Sequence, residues 1–261
     1  MRRIQFYEIH DLACCPRGLR DALTDLLQVS QNFGNHYKSA VPRLRRALEI
    51  VQTNRIVDLC SGGGGPWARM LRQFDVEGYP LEVLLTDKYP NLHAREDVGM
   101  NFSSRLQFEA TSVDATDLPA ELIGFRTLFT SFHHFEPDAA KAILADAVRK
   151  RQGIAIFEFT RRHPLAILLM ILSPLAVLAV PFIRRFRGSR LFWGLIASVA
   201  VAPFDGIVSC LRTYSPAELR AMVETFGDCG YTWEIGEDSS GPFPVPVTYL
   251  VGYPRPLPQN Q

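Results

Sequence analysis

The sequence predicts an α/β fold built on a parallel sheet, and three observations support this prediction. Five short apolar runs between residues 55 and 159 alternate with longer polar or helical stretches, as expected for strands joined by helical crossovers. The first run leads directly into four glycines, Gly62 to Gly65. Two more strand candidates stand near the end of the chain. With 261 residues, the chain can form one large domain that carries an insertion.

Helical segments come before the first strand. Apolar residues recur at helical spacing from Leu19 to Leu27 and again from Val41 to Leu48. We therefore expect residues 1–52 to form an N-terminal helical lid segment. The main domain is expected over residues 53–253, and the proline-rich residues 254–261 are expected to form an exposed tail.

The strand candidates are short, and their flanking residues predict the helices between them. Pro137 and Gly153 bracket a predicted helix over residues 138–152. Ser215, Pro216 and Glu218 have the pattern of a capping box and predict another helix. The strand candidates are, in order, RIVDL, LEVLLT, LQFEATSV, RTLFTSF, IAIFEF, YTWEI and TYLVGY.

Charge and cysteine content exclude several classes of protein. The chain has 28 basic and 27 acidic residues, so no net field favours a nucleic-acid partner. Its five cysteines form no C-x-x-C pair, and histidines and carboxylates show no metal-binding spacing, so we expect neither disulfides nor a metal. The first residues do not resemble a secretory signal, so a cytoplasmic protein is expected.

The glycine cluster and two carboxylates predict a cofactor site. A glycine turn between a strand and a helix lets backbone N–H groups approach a polar ligand. Asp87 ends the second strand candidate 23 residues after Gly64, where a carboxylate can accept hydrogen bonds from ribose hydroxyls. The segment from Gly63 to Ala68 also matches a dinucleotide pattern. However, Asp58, at the end of the first strand, suits a cofactor with an ammonium group and repels a pyrophosphate, which favours S-adenosylmethionine over NAD.

These motifs resemble those of the class I S-adenosylmethionine-dependent methyltransferases over residues 50–253. The resemblance rests on the acid and glycine turn from Asp58 to Gly64, and on SVDATDLP, FTSFHHF and LRTYSPAEL. It implies a Rossmann-like, seven-stranded, mostly parallel sheet flanked by helices. Cys60 and Ser61 depart from the commonest form of the glycine motif. The cofactor-binding residues that the resemblance implies are Asp58, Ser61, Gly62, Gly64, Asp87, Asp114, Ala115 and Ser131. A second interpretation of TDLP remains open, in which Asp117 only caps a helix.

Methyl transfer depends on alignment of the reactants and on exclusion of water, and an alcohol acceptor also needs a base. His134 is the first candidate for this base. Glu158 and Tyr37 are alternatives that could instead orient the substrate. Asp205 and Arg212 are expected to form a structural pair.

Residues 161–204 form an apolar insertion after the fifth strand candidate. PLAILLMILSPLAVLAVPFI, residues 164–183, has no charge and is long enough to cross a bilayer. The second apolar run, residues 191–204, is too short to return across it, and a crossing would move four arginines to the far side. We therefore expect the insertion to lie on the cytosolic membrane face through residues 164–204 or to cover the active site.

The sequence thus predicts a methyltransferase that acts on a small, hydrophobic or lipid-like acceptor. Three alternatives remain open. They are a different reaction of S-adenosylmethionine that releases methylthioadenosine, a nonenzymatic membrane-associated nucleotide-binding module, and an NAD-dependent reductase.

Overall fold

The computed structural model describes residues 1–32, 35–91, 105–183, 186–239 and 245–255. Its centre is a seven-stranded sheet in the order β3-β2-β1-β4-β5-β7-β6, in which β7 is antiparallel to both of its neighbours. The strands are β1 Arg55–Asp58, β2 Glu82–Leu85, β3 Leu106–Phe108, β4 Phe125–Phe129, β5 Ile154–Glu158, β6 Tyr231–Asp238 and β7 Val247–Pro254. The predicted Rossmann-like, mostly parallel sheet is confirmed.

The helices cover both faces of this sheet. They are α1 Arg17–Asn32, α2 Ala40–Ile50, α3 Trp67–Val76, α4 Pro137–Arg149, α5 Pro164–Leu172, α6 Pro174–Val177, α7 Val180–Ile183, α8 Gly188–Arg212 and α9 Pro216–Glu224. Side chains alternate between the faces along each strand. Ile56 packs with α2 and α3 in one core cluster, whereas Val57 packs with α4 and α9 in the other.

Most predicted elements lie within a few residues of their expected positions. The capping box is confirmed, since Ser215 accepts the N–H of Glu218 and Glu218 accepts the N–H of Ser215. The third strand is much shorter than LQFEATSV, because only Leu106–Phe108 pairs with β2. Asp117 does not cap a helix, since it lies in a turn. Pro254 ends β7, and most of the expected tail, residues 256–261, lies outside the described residues.

The apolar insertion packs against the N-terminal segment. Val180 on α7 and Ala197 and Val201 on α8 form a buried cluster with the apolar side of α1. α8 includes a π-helical turn, Ala197–Val201. These contacts join the insertion to residues that come before the sheet in the chain.

The second apolar run, residues 191–204, is part of a helix that is longer than the run itself. Among the described residues, one helix, α8 Gly188–Arg212, is apolar and long enough to cross a membrane by length and composition alone. The expectation that this run is too short is therefore wrong. The end of α8 nevertheless packs inside the protein, because Asp205 and Arg212 are buried.

Candidate active site

A cavity of about 390 Å³ lies at the carboxyl ends of β1, β2 and β4, where ligands bind in open α/β sheets. Its floor follows the strand ends, and residues 5–31 of the N-terminal segment supply the opposite wall. Seven of the eight residues expected to bind the cofactor line it, together with His134. These seven are Asp58, Ser61, Gly62, Asp87, Asp114, Ala115 and Ser131.

Hydrogen bonds from its own N–H groups fix the conformation of the glycine turn. Gly62 has a positive φ and donates its N–H to Asp87 Oδ2 at 2.8 Å. Gly64 does not line the cavity, but it closes the turn by donating its N–H to the carbonyl of Ser61 at 2.8 Å. Cys60 and Thr130, which follow β1 and β4, also have positive φ and line the cavity. Backbone outside the usual regions for these residue types is concentrated at functional sites.

Asp58 is a buried carboxylate at the edge of the cavity. Its Oδ1 accepts the hydroxyl of Thr127 at 2.5 Å, and its Oδ2 accepts the hydroxyl of Ser61 at 2.7 Å. Burial raises the pKa of Asp58 to about 6 despite these bonds. A cation bound beside it would stabilise the ionised form, so the residue fits the ammonium group of an amino acid.

Asp87 and Asp114 differ in their surroundings. Burial raises the pKa of Asp87, whose Oδ1 accepts the N–H of Tyr89 at 2.7 Å. Asp114 is more exposed; the hydroxyl and N–H of Thr116 and the ammonium of Lys88 lower its pKa. Asp87 is therefore the better placed of the two to accept hydroxyl donors inside the cavity.

Two of the three proposed catalytic residues lie away from the cavity lining. The Tyr37 hydroxyl bonds to Thr130 Oγ1, and burial raises its pKa. Glu158 accepts the N–H of Phe132 at 2.7 Å and the Nδ1 of His133 at 2.7 Å. Tyr37 and Glu158 bond to residues after β4 without lining the cavity, which suits orientation of the site residues more than contact with a substrate.

Histidines and carboxylates gather at one end of the cavity in an arrangement that the sequence did not indicate. His134 Nδ1 lies 3.0 Å from Asp11 Oδ2, and His10 Nδ1 lies 2.8 Å from Asp205 Oδ2. Burial alone would lower the pKa of His10, but the hydrogen bond to Asp205 and the nearby Glu8 raise it. We call this group the histidine cluster; it comprises Glu8, His10, Asp11, His133, His134, Glu158, Asp205 and Arg212.

The expected mutual pair of Asp205 and Arg212 is replaced by contacts to the N-terminal segment. Asp205 accepts the N–H of Ile9 at 2.7 Å, and Arg212 Nη1 lies 2.8 Å from Asp11 Oδ2. Sequence reasoning missed Glu8, His10 and Asp11 because they are far from the motifs in the chain. The only signal was the run of titratable residues in EIHD.

His133 is buried in the centre of the cluster. Burial alone would lower its pKa, but Glu158 and Glu8 raise it to about 9. Burial and the neighbouring histidines have opposing effects on the pKa of Glu8. Burial would raise the pKa of Glu8, but His134 and His133 lower it to about 2.

The apolar insertion does not contribute to the cavity among the residues that the structure describes. The described residues that line the cavity come from the N-terminal segment and the strand ends. Arg212, at the end of α8, is the one lining residue among them that follows β5 in the chain. The interpretation of residues 161–204 as a direct cover over the active site therefore has no support in the lining.

No protein-family model and no curated protein matches the sequence. Solved structures share its fold. One is the S-adenosylmethionine-dependent methyltransferase SibL in its apo form, with 15% identity, 85% of this chain covered and a TM-score of 0.50. Another is the methyltransferase domain of bacterial CtHen1, with 13% identity, 84% of this chain and all of that chain covered, and a TM-score of 0.51.

A third similar structure is described as a putative Zn-dependent alcohol dehydrogenase from Rhodobacter sphaeroides. It is 14% identical, covers 92% of this chain and 98% of its own, and has a TM-score of 0.52. This chain spans 56% of the SibL chain. At such identities the likeness concerns the fold alone. The chain has the fold of class I S-adenosylmethionine-dependent methyltransferases.

Proposed function

We propose that the protein is an S-adenosylmethionine-dependent methyltransferase acting on a small acceptor with an apolar body. The observation that carries the proposal is the arrangement of Asp58, Gly62 and Asp87 around one cavity at the strand ends. Bound there, S-adenosylmethionine supplies a methyl group on a sulfonium for in-line displacement. Asp58 would face its ammonium group, and Asp87 would accept the ribose hydroxyls.

The remaining lining suits an acceptor with both an apolar surface and an ionisable hydroxyl. Leu27, Phe129 and Phe135 line the cavity beside His10 and His134. Either histidine could accept the acceptor's proton, and each has a carboxylate partner on its Nδ1. Tyr37 and Glu158 would act as positioning residues, since they brace the ends of β4 and β5.

Calorimetric titration with S-adenosylmethionine and with NADH tests the cofactor. We expect binding of the first and none of the second. Binding of NADH alone would contradict the proposal in favour of a reductase. Release of S-adenosylhomocysteine from S-adenosylmethionine incubated with a small-molecule extract supports methyl transfer, whereas methylthioadenosine would identify the rival displacement reaction.

The protein is further proposed to be cytoplasmic, with peripheral contact between its insertion and an anionic membrane. Among the described side chains of the insertion, nine large apolar ones are at least 40% exposed. No acidic residue stands between Glu158 and Asp205, whereas six arginines do. Exposed apolar surface with basic residues suits the interface of an anionic bilayer. The exposed side chains are Leu168, Ile171, Leu172, Leu175, Leu178, Phe182, Phe192, Val199 and Phe204.

A further inference from the structure

We propose that Glu8, His133 and His134 bind a divalent transition-metal ion of the zinc class. This inference does not depend on the proposed function, and it departs from the expectation that the chain holds no metal. The three residues come from the N-terminal segment and from the turn after β4, so the ion would join the two walls of the cavity. Two imidazoles and one carboxylate form a common ligand set for such ions.

The distances between the ligand atoms fit one ion. Glu8 Oε1 lies 3.4 Å from His133 Nε2 and 3.8 Å from His134 Nδ1. Two ligands at the usual zinc distances in a tetrahedral arrangement lie roughly 3.3–3.4 Å apart. All three ligand atoms lie within 4.8 Å of one another. Side-chain adjustments that turn His134 Nδ1 from Asp11 Oδ2, 3.0 Å away, toward Glu8 would bring the three atoms to one ion.

His133 gives a second and independent indication of a ligand. Its side chain is 1% exposed, and within the described part of the chain its Nε2 makes no hydrogen bond, although Glu8 Oε1 lies 3.4 Å from it. Its Nδ1 lies 2.7 Å from Glu158 Oε2, and Glu158 is fixed in turn by the N–H of Phe132. A carboxylate behind a histidine orients the other ring nitrogen in metal sites. The Nε2 atom is therefore aimed at the Glu8 carboxylate, where either a metal ion or a proton on the imidazole would supply the positive charge between them.

Arg212 is the one permanent cation of the histidine cluster. Its Nη1 lies 3.3 Å from Glu8 Oε1 and 2.8 Å from Asp11 Oδ2, while its other nitrogens donate to the carbonyls of His133 and His134. The histidine cluster contains four carboxylates and one guanidinium. One divalent ion with neutral imidazoles would offset most of the remaining negative charge. In that case His134 serves as a ligand and not as the base.

Metal binding by the full chain, free of any affinity tag and dialysed against a chelator, tests this site. Zn²⁺ is titrated by calorimetry, and Co²⁺ by its visible absorption. We expect one equivalent of either ion, and about tenfold or greater loss of affinity in Glu8→Gln and in His133→Gln. His163→Gln is the matched control, because His163 is an exposed histidine at the start of α5, and it should bind as the unchanged protein does.

Circular dichroism shows whether each variant is folded, and Glu8→Gln provides a second test if His133→Gln does not fold. The proposal is overturned if the unchanged chain takes up no stoichiometric metal, which would mean that a protonated His133 faces Glu8. It is also overturned if Glu8→Gln, folded, binds the ions as tightly as the control.

Discussion

Carboxylates at the strand ends, one buried and one half-buried, are the residues that make this fold a candidate enzyme. Asp58 and Asp87 lie at the ends of β1 and β2, in contact with the glycine turn between β1 and α3. Burial raises the pKa of both, so each is less stable as an anion than in water. A ligand that supplies a cation or hydroxyl donors would offset that cost.

Binding of S-adenosylmethionine is expected to weaken as the pH falls below about 6. Burial raises the pKa of Asp58 to about 6, so the Asp58 carboxyl group of the unliganded protein is protonated at lower pH. Ionisation of Asp58 lowers the free energy of unfolding as the pH rises through that value. An ammonium group favours the ionised form, so affinity should rise over the same range. Calorimetry across this range measures the effect.

Asp58→Asn should remove most of this pH dependence and weaken binding at neutral pH. Burial raises the pKa of Asp87 as well. The Asp58→Asn variant should therefore keep a smaller pH dependence of binding in the same direction, due to Asp87. A full dependence that persists in Asp58→Asn would show that Asp58 does not face the ammonium group.

Asp87→Ala should weaken S-adenosylmethionine binding roughly ten- to hundredfold, the usual effect of losing hydrogen bonds to a charged group. The variant also loses the acceptor that fixes the Gly62 N–H. Calorimetry measures the affinity. Asp75→Ala is the control, since Asp75 is an exposed aspartate on α3 that pairs with Arg105. Equal affinities for the two variants would exclude the ribose role of Asp87.

At the scale of elements, α1 packs closely against the glycine turn. Asn32 donates to the carbonyl of Gly65 at 2.8 Å, and Thr24 lies over Gly62 and Gly63. The helix therefore forms one wall of the cavity and restricts which side chains the turn can carry.

Gly63→Ala should lower both stability and cofactor affinity. A Cβ on Gly63 would lie 2.7 Å from the backbone carbonyl oxygen of Thr24, so α1 or the turn has to move. Thermal unfolding and calorimetry measure the two effects. Gly227→Ala is the control, because its φ of 57° strains any side chain but its Cβ meets no atom. We expect it to affect stability alone, and an unaltered cofactor affinity in Gly63→Ala would contradict this account.

Ser215→Ala should lower the free energy of unfolding by about 1 kcal/mol without changing cofactor affinity. The substitution removes the acceptor for the Glu218 N–H in the capping box of α9, which lies outside the cavity lining. Urea unfolding measures the loss. A change smaller than the experimental error would show that Glu218 and its ion pair with Arg162 maintain the cap alone.

At the scale of the whole molecule, one helix connects the insertion to the site. The first half of α8 carries exposed Phe192 and Val199, whereas its last turns place Asp205 and Arg212 against the N-terminal wall of the cavity. Membrane contact would therefore act on an element that supports the histidine cluster.

The insertion is expected to bring the intact chain to anionic vesicles in a flotation assay. Leu175→Asp combined with Phe182→Asp should abolish flotation, because both side chains are exposed and their change leaves the core intact. Val76→Asp is the matched control, since Val76 is an exposed apolar residue on α3, outside the insertion. Failure of the unchanged chain to float with phosphatidylglycerol vesicles would exclude interfacial contact.

The sequence by itself determined the sheet and most of the side of the cavity formed by the strand ends. Alternating strands and helices, the glycine turn and the acids at strand ends are local patterns, and parallel strands bring their carboxyl ends to one edge. Seven of the eight expected cofactor residues lie together for this reason.

The tertiary structure alone decided the opposite wall. Glu8, His10 and Asp11 meet His133, Asp205 and Arg212 only because the N-terminal segment folds across the strand ends and α8 extends beneath it. Such contacts depend on how separate elements pack, and no spacing of residues along the sequence predicts them. The same packing places the apolar insertion against α1 and leaves its outer side chains exposed.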